Sequence, residues 1–171
     1  WDLGLKVGHA ARSIDEMLRF AKDDITIRTA FLESRLLQGD ETTYFEAKNR
    51  FERESVAKTA SEYLEQKLIE RDLRHVKMGD SRYVVEPNLK EGKGGLRDLH
   101  TLFWITKYAY HVEDVDELVE QGVLTPLELR QFRDAEAFLW TVRCHLHYVA
   151  GRAEERLSFD VQPDLARRMG Y

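Results

Sequence analysis

The sequence has few of the features that mark secreted or membrane-spanning proteins. Cys144 is the only cysteine among 171 residues, so the chain cannot form an internal disulfide or assemble a zinc site from cysteines. No apolar run approaches the ~20 residues that cross a bilayer, and no signal peptide is recognisable. These absences predict a protein of the cytoplasm with no membrane segment.

The composition is that of a folded protein, with 43% hydrophobic and 33% charged residues. Its net charge of −5 argues against a general nucleic-acid-binding surface, and no nucleic acid partner is expected. Any site for an anion must therefore be a local concentration of positive charge.

Residues 84–98 combine an extended run, a glycine-rich loop and the start of a strongly apolar helix. Pro87 disfavours helix in the residue before it. Gly92, Gly94 and Gly95 permit backbone angles that are closed to other residues. The chain can therefore bend sharply just before the helix begins.

Three cationic residues, Lys90, Lys93 and Arg97, lie in or beside this bend. The free N–H groups of a helix that starts near Leu96 would point back into the loop, which is a suitable place for a phosphate. Glycines before a helix also serve tight packing, and loop lysines are commonly only solvated. Because the spacing matches neither standard phosphate-loop pattern, both interpretations stay open on the residues alone.

Periodicity and capping signals predict a mainly α protein, a helical bundle that follows a small α/β segment. Capping boxes at Ser13 and Thr125 start helices. Alternating residues predict a short strand at 3–11, and a second strand is expected at 32–37, before Gly39 ends it. The other helices are predicted at residues 24–32, 41–51, 54–76, 96–110 and 164–169.

The core of the bundle is predicted between the helix at residues 96–110 and the helix that starts at Thr125. The first is apolar around most of its circumference, so little of it should be exposed. The second repeats apolar residues at three- and four-residue steps. Its predicted seam is Phe132, Ala135, Leu139, Val142, Leu146 and Val149.

Several stretches carry a family resemblance. The strings EPNLKEG at residues 86–92 and GGLRD at 94–98 closely resemble the central region of the bifunctional PII uridylyltransferase/uridylyl-removing enzymes of bacterial nitrogen regulation. The opening WDLGLKVGH at residues 1–9 is similar to the segment that follows that family's nucleotidyltransferase motif. Residues 151–157 and 159–171 are similar to the junction before its HD phosphohydrolase domain.

The resemblance implies a domain plan. Residues 1–39 correspond to the C-terminal part of a nucleotidyltransferase domain, an α/β remnant. Residues 40–171 correspond to a helical domain that leads to an HD domain. The first residue is Trp1 rather than methionine, which agrees with a fragment of a longer protein. The helical domain is expected to pack against both catalytic domains.

The resemblance also implies an activity, the transfer of UMP from UTP to the PII signalling protein, supported by Mg²⁺ whose main ligands lie outside this segment. Within the chain, it makes Glu33 the candidate third carboxylate of the nucleotidyltransferase site, an exposed strand-edge glutamate being the alternative. The candidate substrate-binding residues, for UTP phosphates or PII, are Arg35, Lys90, Lys93, Gly94, Gly95 and Arg97.

Two motifs that these activities need do not occur. A nucleotidyltransferase holds magnesium with an Asp-hydrophobic-Asp pair after a glycine turn, and the one literal match, at residues 114–116, lies at a predicted helix start where Asp114 is a cap. His145 and His147 face different sides of a helix, and no His-Asp doublet is present. We therefore expect the fragment alone to be inactive. The alternative function is a non-catalytic helical module that joins two catalytic domains.

Overall fold

In the computed structural model, which describes residues 8–171, the chain forms eight α-helices and no β-strand. None of these helices is long and apolar enough to cross a bilayer. The mainly helical fold predicted from periodicity is confirmed. The helices are α1 (Ile14–Asp23), α2 (Ile25–Leu32), α3 (Glu41–Phe51), α4 (Ala57–Lys77), α5 (Leu96–Tyr110), α6 (Glu117–Glu120), α7 (Pro126–Ala150) and α8 (Gln162–Arg168).

The predicted strands are wrong wherever the structure describes them. Residues 8–11 have no regular structure, and residues 1–7 of the first strand lie outside the described part. The second strand was expected at 32–37, but Leu32 is buried as the last residue of α2. Leu37, at the end of the predicted strand, is 82% exposed. A strand needs a partner to pair its backbone groups, and none is present within residues 8–171.

The two helix starts predicted from capping boxes are confirmed. The Ser13 hydroxyl accepts the Glu16 amide at 3.3 Å, and the Glu16 carboxylate accepts the Ser13 amide at 3.0 Å. Thr125 and Glu128 repeat this reciprocal arrangement at the start of α7. These two boxes satisfy amides that a helix end otherwise leaves unpaired.

A π-helical segment, Glu52–Val56, joins α3 to α4 where the sequence predicted a break between two helices. Thr59 then departs from helical angles, with φ −130° and ψ 21°. The structure divides into two compact units just after this irregular stretch, between Ala60 and Ser61. This structural division is separate from the domain boundary predicted at residue 39, which stays a prediction.

The unit that precedes Ser61 is built around a buried cation. Arg28 of α2 is 1% exposed, and its guanidinium donates to the carbonyls of Ala21, at 2.7 Å, and Lys22, at 2.6 Å. These carbonyls lie at the C-terminal end of α1, where a positive charge is favoured. The ring of Phe31 meets that of Phe51 edge-on at 4.9 Å. Together these contacts join α1, α2 and α3.

In the unit that starts at Ser61, aromatic contacts join α4 to α5. The rings of Tyr63 and Tyr108 stack at 4.0 Å with an interplanar angle of 12°, and both are fully buried. The ammonium of Lys67, only 3% exposed, lies 4.7 Å from the centre of the Trp104 ring. This stacked pair and cation–π contact fix the two helices together.

The buried cluster at the end of α7 packs with α8 and the glycine-rich loop, whereas the sequence predicted α5 as the partner of α7. Val142 and Leu146 of α7 pack with Leu165 of α8 and with Leu89 of the glycine-rich loop. Within the predicted seam Leu139 is partly buried and Ala135 is exposed. The exposed residues of α5 include Leu102 and Tyr110, so α5 is less completely buried than expected. The loop itself supplies part of the core.

Candidate functional site: the glycine-rich loop

The loop is tethered at its base to the chain that follows α7. Asn88 and Arg156 form an isolated antiparallel pair. The Leu89 amide donates to the Glu155 carbonyl at 2.8 Å, and the Leu157 amide donates to the Pro87 carbonyl at 2.9 Å. Two segments far apart in sequence therefore hold each other in register.

Asn88 organises the turn that follows. Its side-chain oxygen accepts the amides of Lys90, at 3.0 Å, and Glu91, at 2.7 Å. Its backbone carbonyl accepts the Gly92 amide at 3.0 Å. A short amide side chain that bonds the backbone two and three residues on is a turn-forming device. The loop is thus held from within.

The glycines are required by the backbone around them. A Cβ atom on Gly92 would lie 2.6 Å from the Asn88 carbonyl oxygen, and one on Gly95 would lie 2.8 Å from that of Leu89. Gly94 has a φ of +81°, which side chains disfavour. Gly92 and Gly95 therefore serve close backbone packing, and Gly94 provides a left-handed turn, which agrees with the structural interpretation that the sequence had left open.

The amides at the start of α5 are already paired. Leu96 donates to the carbonyl of Leu89 at 3.0 Å, and Arg97 donates to that of Lys90 at 2.9 Å. The Asp98 amide donates to Gly95 at 2.9 Å. The expectation of free amides that point at an anion is wrong, because the loop folds back and supplies carbonyl acceptors.

Two carboxylates of the protein, Asp80 and Glu91, pair with the three loop cations. Lys93 lies 3.0 Å from Asp80, and Arg97 lies 3.3 Å from Glu91. Lys90 lies 3.7 Å from the same Glu91 carboxylate. The Arg97 guanidinium lies 5.5 Å from the centre of the Trp104 ring. The crowding of positive charge seen in the sequence is therefore partly relieved, since two carboxylates offset three cations.

Asp98 is the polar centre of the site. Its Oδ2 accepts the Gly94 amide at 2.8 Å, and its two oxygens lie 2.9 Å and 3.0 Å from His75 Nε2. Arg74 donates a further bond to Oδ1. Burial raises the pKa of Asp98, but the Gly94 amide, His75 and Arg74 lower it by more, so the pKa lies below the usual value. The ionised carboxylate thus joins the end of α4 to the loop.

Glu155 holds the other side of the loop. Its backbone carbonyl accepts the Leu89 amide, and its carboxylate accepts two bonds from Arg143, at 2.8 Å and 2.6 Å. The pKa of Glu155 is lowered, chiefly because Arg143 donates to it. Glu155 thus pairs within its own unit.

The remaining predicted site residues lie in the other unit. Glu33 follows the last residue of α2 and is exposed, and its amide donates to the Thr29 carbonyl at 3.1 Å. Arg35 is exposed two residues further on. Their assignment to substrate or metal stays a prediction. Among residues 8–171, no group of three or more His, Cys, Asp or Glu side chains is arranged to hold a metal ion.

Three cavities adjoin the loop, and Lys93 borders each of them. One, of about 420 Å³, is mainly apolar and reaches Leu165 and Met169 near α8. A second, of about 340 Å³, is strongly basic. The third, of about 600 Å³, includes His75 and Asp98. Of the three loop cations, Lys93 is thus the best placed to meet a ligand.

These observations define a helical protein with a glycine-rich loop that is held by internal hydrogen bonds. Comparison with known proteins shows the family to which the chain belongs. The chain belongs to the family described as GlnD PII-uridylyltransferase, whose model matches residues 62–171. This confirms the resemblance inferred from the sequence strings.

Curated relatives match over the whole chain. Proteins named bifunctional uridylyltransferase/uridylyl-removing enzyme, from Azospirillum brasilense, Bradyrhizobium diazoefficiens and Rhodospirillum rubrum, are each 61% identical over all 171 residues. The chain spans 18% of the length of each of these relatives. No solved structure matches it.

Proposed function

We propose that this chain is the helical segment of a bifunctional enzyme that transfers UMP from UTP to the PII signalling protein and also removes it. The observation that carries the proposal is the 61% identity over the entire chain to relatives named for both activities. The uridylyl-removing reaction and PII recognition would involve other parts of the full-length protein. The proposal places that protein in the cytoplasm.

In this proposal the loop presents Lys93 to the phosphates of UTP, or to PII. The pair between Lys93 and Asp80 is accessible, with side chains 42% and 61% exposed. Such a pair contributes little to stability, so a phosphate can replace Asp80 as the partner of the lysine. Lys90 and Arg97 share Glu91 and would help to set the local charge. Gly94 and Gly95 shape the backbone on which these cations stand.

Magnesium is part of the same proposal. When bound, it would neutralise the triphosphate of UTP. Its main ligands would come from residues outside this chain, with Glu33 as a third carboxylate and Arg35 as a neighbouring contact to substrate. The fragment alone would be inactive. The helical segment would pack against the nucleotidyltransferase and HD domains of the same protein.

The alternative is a non-catalytic helical module that joins the two catalytic domains and touches no nucleotide. The paired amides of Leu96 and Arg97, together with the internal carboxylate partners of the loop cations, favour this second candidate. On this alternative the loop is a packing device, and its cations contribute nothing to UTP affinity.

An assay of the full-length protein separates the two candidates. Transfer of radiolabelled UMP from UTP to PII would be measured for the wild type, for Lys93→Gln and for Lys58→Gln, which removes an exposed cation of α4 in the other unit. If Lys93 contacts a phosphate, its loss should raise the KM for UTP by about tenfold, whereas K58Q should leave it unchanged. Equal KM values for UTP and for PII in all three proteins would favour the joining module. No transfer by the folded wild type would contradict the proposed activity itself.

A further inference from the structure

The basic cavity beside the loop has a charge opposite to that of the chain. It is lined by four cationic side chains and one carboxylate, Glu86, although the chain as a whole carries a net charge of −5. We call the four cationic residues the basic pocket: Lys77, Arg82, Lys93 and Arg156. A cleft lined mainly by one sign of charge attracts ligands of the opposite sign.

The one carboxylate in this cavity is already engaged. Glu86 accepts Arg156 Nη2 at 2.7 Å through one oxygen and the Phe159 amide at 2.9 Å through the other. It therefore offsets a single positive charge and also holds Arg156 in position. Lys93 has its exposed partner Asp80.

The other two cations are not neutralised. Among the described residues, no carboxylate lies within ion-pair distance of Lys77 or Arg82. Lys77 is the last residue of α4, and the Arg82 guanidinium lies 5.3 Å from the centre of the Tyr83 ring. Two like charges beside the same cavity repel each other unless an anion or solvent screens them.

We propose that the basic pocket binds a chain of two or more phosphate groups, either inorganic pyrophosphate or the phosphate tail of a nucleotide. Lysine ammonium groups bind phosphate as point charges, and arginine guanidinium groups bind it through paired N–H donors. The basic pocket offers both kinds of donor around a volume of about 340 Å³. Because Lys93 belongs both to the basic pocket and to the proposed UTP contact, this inference rests on the proposed function and extends it to Lys77 and Arg82. Binding to these two residues is measured without the transfer reaction, so its failure is distinguishable from a failure of the proposed activity.

The test is calorimetric titration of inorganic pyrophosphate into the 171-residue chain at low ionic strength, with a chelator to remove divalent cations. The test variant is Lys77→Gln/Arg82→Gln. The matched control is Arg130→Gln/Arg168→Gln, which removes the same charge from exposed positions of α7 and α8. Circular dichroism melts show whether each protein is folded. Arg82→Gln alone, outside the helices, replaces the double variant if that protein does not fold.

The proposal expects saturable binding at one site, weakened about tenfold or more in the test variant and by less than about twofold in the control. A parallel titration with a nucleoside triphosphate identifies the source, since tighter binding of the nucleotide shows that its phosphate tail is the ligand. Absence of saturable binding of either compound to the wild type would overturn the proposal. Equal weakening in the two double variants would also overturn it, because only general surface charge would then be involved.

Discussion

His75 Nε2 lies within 3.0 Å of both carboxylate oxygens of Asp98. An ionised carboxylate only accepts hydrogen bonds, so this nitrogen carries the proton and donates it. His75 stands near the end of α4 and Asp98 in the first turn of α5. This contact, with the bond from the Gly94 amide to the same carboxylate, makes Asp98 the link between a helix end and the loop.

Replacing Asp98 with asparagine should destabilise the chain. Arg74 is 10% exposed, and removing the carboxylate leaves its charge poorly compensated, which we expect to lower the free energy of unfolding by about 2–4 kcal/mol. Asp72→Asn is the matched control, because Asp72 is 64% exposed in its pair with Arg71 and should cost less than about 1 kcal/mol. Urea unfolding measures both. Equal losses would show that Asp98 is not a structural centre.

The same carboxylate predicts a pH dependence. The folded-state pKa of Asp98 lies below its usual value, so the ionised form stabilises the fold at pH values above the unfolded pKa of about 4. This stability is lost as the pH falls from about 4 through the folded pKa. The free energy of unfolding should therefore decrease with acidification in the wild type, and the decrease should be smaller in Asp98→Asn. Identical pH profiles for the two proteins would contradict this assignment.

Adding a side chain at Gly95 should destabilise the fold more than adding one at a glycine in open surroundings. A Cβ at Gly95 would meet backbone oxygens of Leu89 at 2.8 Å and Gly92 at 3.0 Å, and backbone cannot move aside as a flexible side chain can. We expect Gly95→Ala to cost about 1–3 kcal/mol of unfolding free energy. A Cβ at Gly8 would have no atom within 4 Å, so Gly8→Ala serves as the control. A melting temperature that drops equally in both variants would contradict the packing interpretation.

Truncations along α7 should rank by burial rather than by position in the predicted seam. Leu146 is 0% exposed and packs in the cluster that contains Leu89, so Leu146→Ala should cost about 2–5 kcal/mol. Leu139 is only partly buried against that cluster, so Leu139→Ala should lower the free energy of unfolding by less than Leu146→Ala does. Leu127→Ala, at a residue 60% exposed, should be nearly neutral. Urea unfolding in which Leu139→Ala costs more than Leu146→Ala would contradict the ranking by burial.

What the sequence could predict was local. The capping boxes at Ser13 and Thr125 are readable because their partners are three residues away, and the glycine run identified the loop. The strand predicted at residues 32–37 was wrong because Leu32 completes α2, and the local sequence does not reveal where that helix ends.

The contacts that define the candidate site could not be read from spacing. Asp98 pairs with Arg74 and His75, which precede it by 24 and 23 residues, and no local pattern announces such a pairing. The Arg143–Glu155 pair likewise depends on the turn after α7. The loop cations are therefore evident in the sequence, whereas the carboxylates that pair with them become evident only in the structure.

The central claim is that the loop folds back on itself and pairs the Leu96 and Arg97 amides at the start of α5, so neither is open to an anion. Amide hydrogen exchange at Leu96 and Arg97, followed by NMR in the 171-residue chain, tests it most directly. Both amides donate to loop carbonyls, at 3.0 Å and 2.9 Å. We expect each to exchange at least about a hundredfold more slowly than in an unstructured peptide. Exchange at the unstructured rate for both amides would contradict the claim and restore an open helix end as the candidate phosphate site.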